Sequence, residues 1–157
     1  MIDGGHLREI LHYDPGTGVF MRGGRRAGCP NNRGYRRISI NNRQYKEHRL
    51  AWLYIYDKWP RADTDHINGD PSDNRLCNLR EATRSQNIAG MRAVSGRIRG
   101  VNWYRRDRKY RAKIRFNGKD IYLGSFDNPQ EAAVAYDFAA YTLFEEFARL
   151  NVLFRMH

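Results

Sequence analysis

From Asp63 to Asn87 the chain reads DTDHINGDPSDNRLCNLREATRSQN. Asp65 and His66 are adjacent, Asn78 follows twelve positions after His66, and Asn87 lies nine beyond that. Asn68-Gly69-Asp70-Pro71 and Ser72-Asp73-Asn74 are turn formers, because Asx side chains bond their own backbone two residues on and proline presets its φ. Asp65-His66 is therefore expected where a strand runs out into a loop. Leu79 to Asn87 has helical character, with Asn78 placed to cap its first turn. Asp70, Ser72 and Asn74 have the spacing of a calcium loop, but the sixth position holds Arg75 where such a loop needs glycine for its sharp turn. That reading is excluded.

Working outward, His48 to Tyr56 (HRLAWLYIY) is apolar enough for a buried helix. Before it, Gly34–Ile40 and Arg43–Glu47 flank Asn41-Asn42 and read as a hairpin. Asp14-Pro15-Gly16-Thr17-Gly18 is a turn between a short helical segment, Leu7–Leu11, and a strand, Val19–Met21. After the central stretch, residues 89–97 carry no strong period and are expected to be a linker. Three strands then follow, Gly100–Tyr104, Tyr110–Phe116 and Ile121–Leu123, the last two joined by Asn117-Gly118. Pro129–Phe144 closes the pattern as a helix, with Ala132, Ala135, Ala139 and Leu143 predicted on its buried stripe. Such a β-β-β-α unit packs one sheet face on the helix and leaves the other free. Trp103, Tyr104 and Phe116 are candidates for the packed side.

Charge narrows the partners. The 157 residues carry 28 Lys and Arg against 17 Asp and Glu, a net charge of +11. A chain this basic seeks a polyanion. The excess is concentrated: Arg22–Arg49 holds nine basic side chains against Glu47 alone, and Arg97–Lys119 holds ten against Asp107 alone. No apolar run approaches the roughly 18 residues that a membrane span requires, and the N-terminus lacks the apolar stretch of a signal peptide. Cys29 and Cys77 are too few for a four-thiolate zinc site or a disulfide framework, and are expected to be small buried side chains. Nucleic acid is the leading partner and the cytoplasm the expected compartment.

The string D-H…D-N…N-L-R…T…N, introduced by His48-Arg49-Leu50, resembles the HNH (ββα-metal) nuclease motif in its phage and intron homing-endonuclease variant, over residues 7 to 90. Asn87 stands where the motif's last His gave its final letter, a replacement that the homing variant accepts. The resemblance implies His66 as general base, Asp65 and Asn87 as metal ligands, and Asn78 as the residue that ties the loop and helps to orient His66. The chemistry suits those residue types. Phosphodiester hydrolysis needs a proton acceptor, and an imidazole with a pKa near ~6.5 can serve at neutral pH. A hard cation with few protein ligands suits Mg²⁺ (or Mn²⁺), one ion per site, because it keeps waters and accepts phosphate oxygens. His48 is expected to be structural.

Residues 97 to 150 resemble the Apetala/ethylene-response-factor DNA-binding domain through Arg99-Gly100-Val101, Tyr110 to Arg115, Tyr122 to Phe126, Glu131-Ala132-Ala133 and Tyr136-Asp137. That family lays a three-stranded sheet in the major groove. The resemblance implies DNA contacts from Arg99, Asn102, Arg111, Lys113, Arg115 and Tyr122. Tyr110 and Tyr122 stand where plant members usually have Trp, and Asn102 and Lys113 where they commonly use Arg and Glu, so no base preference carries over.

The expectation is an α+β chain of two domains, 1–92 and 93–157. It is expected to cleave double-stranded DNA as a monomer in the cytoplasm of a bacterial host, without membrane attachment. Two rivals have other chemistry: a non-cleaving DNA-binding regulator, and an RNA-binding protein whose aromatics stack on bases.

Overall fold

The structure is a computed structural model that describes residues 2–91 and 97–151. It divides into two compact units, Met1–Ala82 and Thr83–His157. The division falls ten residues ahead of the boundary expected after residue 92.

In the first unit, helix α1 (Gly4–Ile10) starts at Asp3, whose carboxylate accepts the His6 amide. Strands β1 (His12–Asp14), β2 (Val19–Arg22) and β3 (Arg25–Arg26) form an antiparallel meander. Tyr13 pairs with Phe20 in it, and the two rings stack at 4.6 Å. A second meander joins β4 (Cys29–Pro30), β5 (Arg36–Ile40) and β6 (Arg43–Lys46). Asn41 and Asn42 both take positive φ at its tip, the two-residue turn whose twist matches that of paired strands. Helix α2 (Glu47–Tyr56) follows without a break. Its Leu50, Ala51 and Leu53 pack with Leu7, Leu11, Tyr13, Phe20, Ile38 and Ile40 into one apolar core.

The remaining ribbon carries the site. Strand β7 (Asp63–His66) pairs antiparallel with β8 (Leu79–Ala82), setting Asp65 opposite Arg80 and His66 opposite Leu79. Here the expectation of a helix from Leu79 is corrected. Leu79–Ala82 is a strand, Asn78 belongs to a short 3-10 turn (Leu76–Asn78), and helix α3 (Arg84–Gly90) begins only after Thr83. The physical reason is a better cap downstream: Thr83 accepts the Gln86 amide while the Gln86 side chain accepts the Thr83 amide, satisfying two end-of-helix donors at once. The cysteines are corrected too, since both Cys29 and Cys77 are exposed.

The second unit holds α3 and the sheet β9 (Val101–Tyr104), β10 (Lys109–Phe116) and β11 (Lys119–Phe126), with β10 in the middle. Residues 92–96 of the expected linker lie outside the described residues, while Ala89 and Gly90 close α3. Helix α4 (Pro129–Phe144) has the expected bounds: Asn128 accepts the Glu131 amide, and Pro129 sits in the first turn, where a missing N–H costs nothing. Its buried stripe is rotated from the expected one. Ala132 is buried as predicted, but its companions are Ala133, Tyr136, Asp137, Ala140 and Phe144, not Ala135, Ala139 and Leu143. Alanine fits either face, so the large rings decide, and Phe144 meets Phe116 at 5.6 Å. The strand residues Ala112 and Ile114 complete this core. Trp103 shares the Tyr110 side of the sheet, whereas Tyr104 lies on the other face beneath Arg111. Gly100 is required where it stands: at φ +72° a Cβ would fall 2.0 Å from the Tyr136 ring.

Candidate active site and nucleic-acid face

His66 ends β7 with its ring turned into the first unit, only 6% exposed. Its Nε2 lies 3.0 Å from Asn74 Oδ1. Asn74 is itself buried, and its Nδ2 donates to Glu47 Oε2 at 2.8 Å. Glu47, wholly inaccessible at the start of α2, is ion-paired through the same oxygen with Arg36 Nε at 3.1 Å. Burial pushes the Glu47 carboxyl up from its ordinary range, opposed by the charges of Arg36 and Arg26 and by the Asn74 bond. The backbone of Asn74 is seated from the N-terminal meander. Tyr13 Oη donates to the Asn74 carbonyl at 2.8 Å, and burial holds that hydroxyl protonated well past its usual range. Gly18, at φ +73°, lies so close that a Cβ would meet the Asn74 carbonyl oxygen at 2.9 Å.

His48 stands edge-on to His66 with ring centroids 5.0 Å apart, and Tyr35 touches both rings. Burial pushes the His48 imidazole down to about 3, helped by the adjacent His66 ring and by the charges of Lys46 and Arg49. It is neutral at physiological pH.

Asp65 points away from His66, as neighbouring strand residues do. Its Oδ2 accepts both Nε and Nη2 of Arg80, each at 3.1 Å. Asn78 binds the loop: its Oδ1 accepts the Asn68 amide, and its Nδ2 donates to Asn68 Oδ1 and to the Asp73 carbonyl. Asp73, held down to about 2 by Arg75, completes that loop through the Asn68 side chain. The structure thus gathers Asp65, His66 and Asn78 in the first unit, while Asn87 lies on α3 in the second. Among the described residues no group of three or more His, Cys, Asp or Glu side chains is arranged to hold a metal ion. The donors that the sequence offers, a carboxylate and an amide, are hard oxygens that suit a heavily hydrated divalent cation and not zinc. At Asp65 such an ion would share the carboxylate with Arg80 or displace it.

Glu47 and Arg36 were not among the expected site residues, and Asn74 and Arg80, although they belong to the D-N and N-L-R steps of the string, had no role assigned. The one legible signal was Glu47 itself, a lone acid within the Arg22–Arg49 basic run.

Two basic surfaces are present, one in each unit. In the first, a groove is lined by Arg22, Arg25, Arg26 and Arg37 with no carboxylate among its lining residues. In the second, the helix-free face of the sheet carries Lys109, Arg111, Lys113 and Arg115 in one row along β10. Asn102 is set beside Arg111 and Tyr122 beside Lys113. Every cation in the row has a carboxylate partner: Lys109 with Asp127, Arg111 with Asp107, and Lys113 and Arg115 with Asp120. Tyr122 Oη and Ser125 Oγ are 2.7 Å apart. Arg99 lies outside that row. It precedes β9 and directs its guanidinium to the carbonyls of Ile88 and Ala89 at the end of α3.

Residues 45–89 match the family model described as HNH endonuclease. The matched segment runs from β6 through α2, β7 and β8 into α3. A 51-residue stretch is 47% identical to the AP2-like ethylene-responsive transcription factor TOE2 of Arabidopsis thaliana. It covers 32% of this chain and 10% of that protein. The APETALA2-like protein 2 of Oryza sativa, in both the indica and japonica subspecies, matches at the same identity over the same length, 12% of its own. The chain therefore spans only about a tenth of the curated relatives it matches. No solved structure gave a significant match. The chain is an α+β protein that combines an HNH-endonuclease-type segment with an AP2-like one.

Proposed function

We propose that this protein is a metal-dependent, homing-type DNA endonuclease. In this reading a nuclease domain of residues 1–92, which takes α3 with it, cuts duplex DNA that the sheet of residues 93–157 selects. The observation that carries the reading is the HNH-type segment with His66 at the end of β7, its ring held and its neighbour Asp65 on the opposite side of the strand. His66 takes a proton from water as its oxygen attacks phosphorus, and the P–O3′ bond breaks as the 3′-oxygen leaves. Bound Mg²⁺ or Mn²⁺, with Asp65 and Asn87 as its protein ligands, would neutralise charge on the phosphate and the leaving oxygen. Asn78 keeps the loop after His66 closed.

The row Lys109–Arg115 supplies phosphate and base contacts in the major groove, with Asn102 and Tyr122 beside it. Arg99 joins them only by leaving the α3 carbonyls. Arg is the side chain best able to grip guanine bidentately, and Lys is the better point contact to phosphate. The arginine groove of the first unit adds sequence-independent phosphate contacts, which position a protein without specifying a base. The protein acts as a monomer, in a bacterial cytoplasm. Among the described residues no helix is long and apolar enough to cross a membrane.

The clasp of Arg80 on Asp65 favours a second reading, a DNA-binding regulator without cleavage. Mapping products on a genomic fragment of the host replicon, in chelator and with added Mg²⁺ or Mn²⁺, tests both. Site-specific cuts only with metal are expected. Equal cutting in chelator refutes the metal-dependent mechanism, and tight duplex binding with no cut under any ion establishes the regulator.

A further inference from the structure

We propose that Asn74 and Glu47 are positioning residues that hold His66 in the tautomer with its proton on Nε2, leaving Nδ1 as the nitrogen that accepts the proton from water. The inference rests on the nuclease reading for its catalytic consequence, but its structural half stands on the hydrogen bonds alone.

The charged end of this chain of contacts sets the direction of every bond in it. A carboxylate only accepts hydrogen bonds, and the Arg36 guanidinium at 3.1 Å keeps Glu47 in that role. Asn74 must therefore turn its amide nitrogen to Glu47 Oε2, 2.8 Å away. The reverse orientation would set an amide oxygen against a carboxylate oxygen. With the nitrogen committed, Asn74 Oδ1 is the atom that faces His66 Nε2 at 3.0 Å, and it too can only accept. The ring proton is thereby required on Nε2. In a neutral imidazole the other nitrogen then carries the free lone pair, because the bond made by one ring nitrogen fixes the role of the other.

Three further features make the arrangement rigid. Asn74, Glu47 and His66 are all buried, so water does not compete for their bonds. The Asn74 backbone is pinned by the Tyr13 hydroxyl and by the close approach of Gly18. His48 and Tyr35 wall the His66 ring on two sides. None of these residues touches the carboxylate of Asp65 in the contacts described above, so the device orients the base and leaves the cation's ligands alone.

The test starts on wild-type, metal-free, full-length protein at pH 8, with ¹⁵N-labelled histidine and bond-correlated NMR of the imidazole nitrogens. The expected spectrum assigns His66 a proton on Nε2 and a bare Nδ1. Asn74→Leu, with the same branched skeleton but without either bond, should lose that single tautomer. Its cleavage rate should fall by ~10–100-fold at unchanged DNA affinity, the usual size of a supporting-residue effect. A proton on Nδ1 in the wild type overturns the proposal, whether or not any variant folds. So does an Asn74→Leu protein that cuts at the wild-type rate. If the wild type shows the expected tautomer yet cleaves no DNA with any divalent ion, the nuclease reading fails, and with it the catalytic role, while the hydrogen-bond chain stands.

Discussion

Acidifying the protein should unfold the first unit through His48. Its ring is 3% exposed and stays unprotonated down to about pH 3, whereas in the unfolded chain an imidazole takes up its proton near ~6.5. The folded state therefore binds fewer protons than the unfolded state between those limits. Stability owed to neutral His48 is complete above pH ~6.5 and is lost as pH falls toward 3. At about 1.4 kcal/mol for each unit of difference, the loss is about 2 kcal/mol at pH 5 and on the order of 4–5 kcal/mol at pH 3. Against a total of roughly 5–15 kcal/mol for an ordinary domain, that is enough to matter. Glu47 acts in the opposite sense. Its raised pKa lets the folded state take a proton first, so its contribution grows as pH falls through the carboxylate range and offsets His48 only there. Urea unfolding followed by tryptophan fluorescence measures the effect. In a Trp103→Phe background, Trp52 and Trp59 report the first unit. Between pH 7 and 5 the parent should lose about 2 kcal/mol more than His48→Gln, which is about one proton of slope. Parallel profiles for the two proteins would refute the claim that burial holds His48 neutral.

His66→Ala should lower cleavage by ~10²–10⁴-fold while duplex affinity in a gel-shift assay stays within a few-fold; near-normal cutting removes His66 as the base. Asp120→Asn frees Lys113 and Arg115 from their shared carboxylate and removes a charge that repels phosphate. Duplex affinity by fluorescence anisotropy should rise about twofold to fivefold at low salt, since exposed pairs are individually weak; weaker binding would show that the carboxylate itself contacts DNA. Gly100→Ala should destabilise the second unit by about 1–3 kcal/mol, because its φ and the Tyr136 ring both resist a Cβ; an unchanged thermal unfolding curve would contradict that packing.

Local chemistry made part of the fold legible. Asn41-Asn42 announced its hairpin, because turn preferences act over three or four residues, and the alanine-rich run from Pro129 announced α4. Leu79–Ala82 misled for the complementary reason. Leu, Arg, Glu and Ala are good helix formers, and only pairing with Asp63–His66, some fifteen residues away, makes them a strand. The stripe on α4 was displaced because alanines do not say which of their neighbours the sheet prefers. In the candidate site, Asp65, His66 and Asn78 stood out as a spaced string. The contacts that support them did not, since Asn74 meets Glu47 across 27 positions and Tyr13 across 61. Arg99 shows a related limit: alternation places a side chain on a face of the sheet, but the carbonyls at the end of α3 decide where its guanidinium goes.

The seat of Asn74 bears on how far the nuclease segment can be transplanted. The family match begins at Tyr45, yet Arg36, Gly18 and Tyr13 all precede it. An excised fragment of residues 45–89 would keep the recognisable string but strand Glu47 in an apolar setting without its counter-charge, a loss that commonly costs ~3–5 kcal/mol. It would also drop both residues that fix the Asn74 backbone. The smallest graft that retains a properly held His66 must therefore reach back to β1, well outside what pattern matching marks. In this protein the unit of recognition is shorter than the unit of folding.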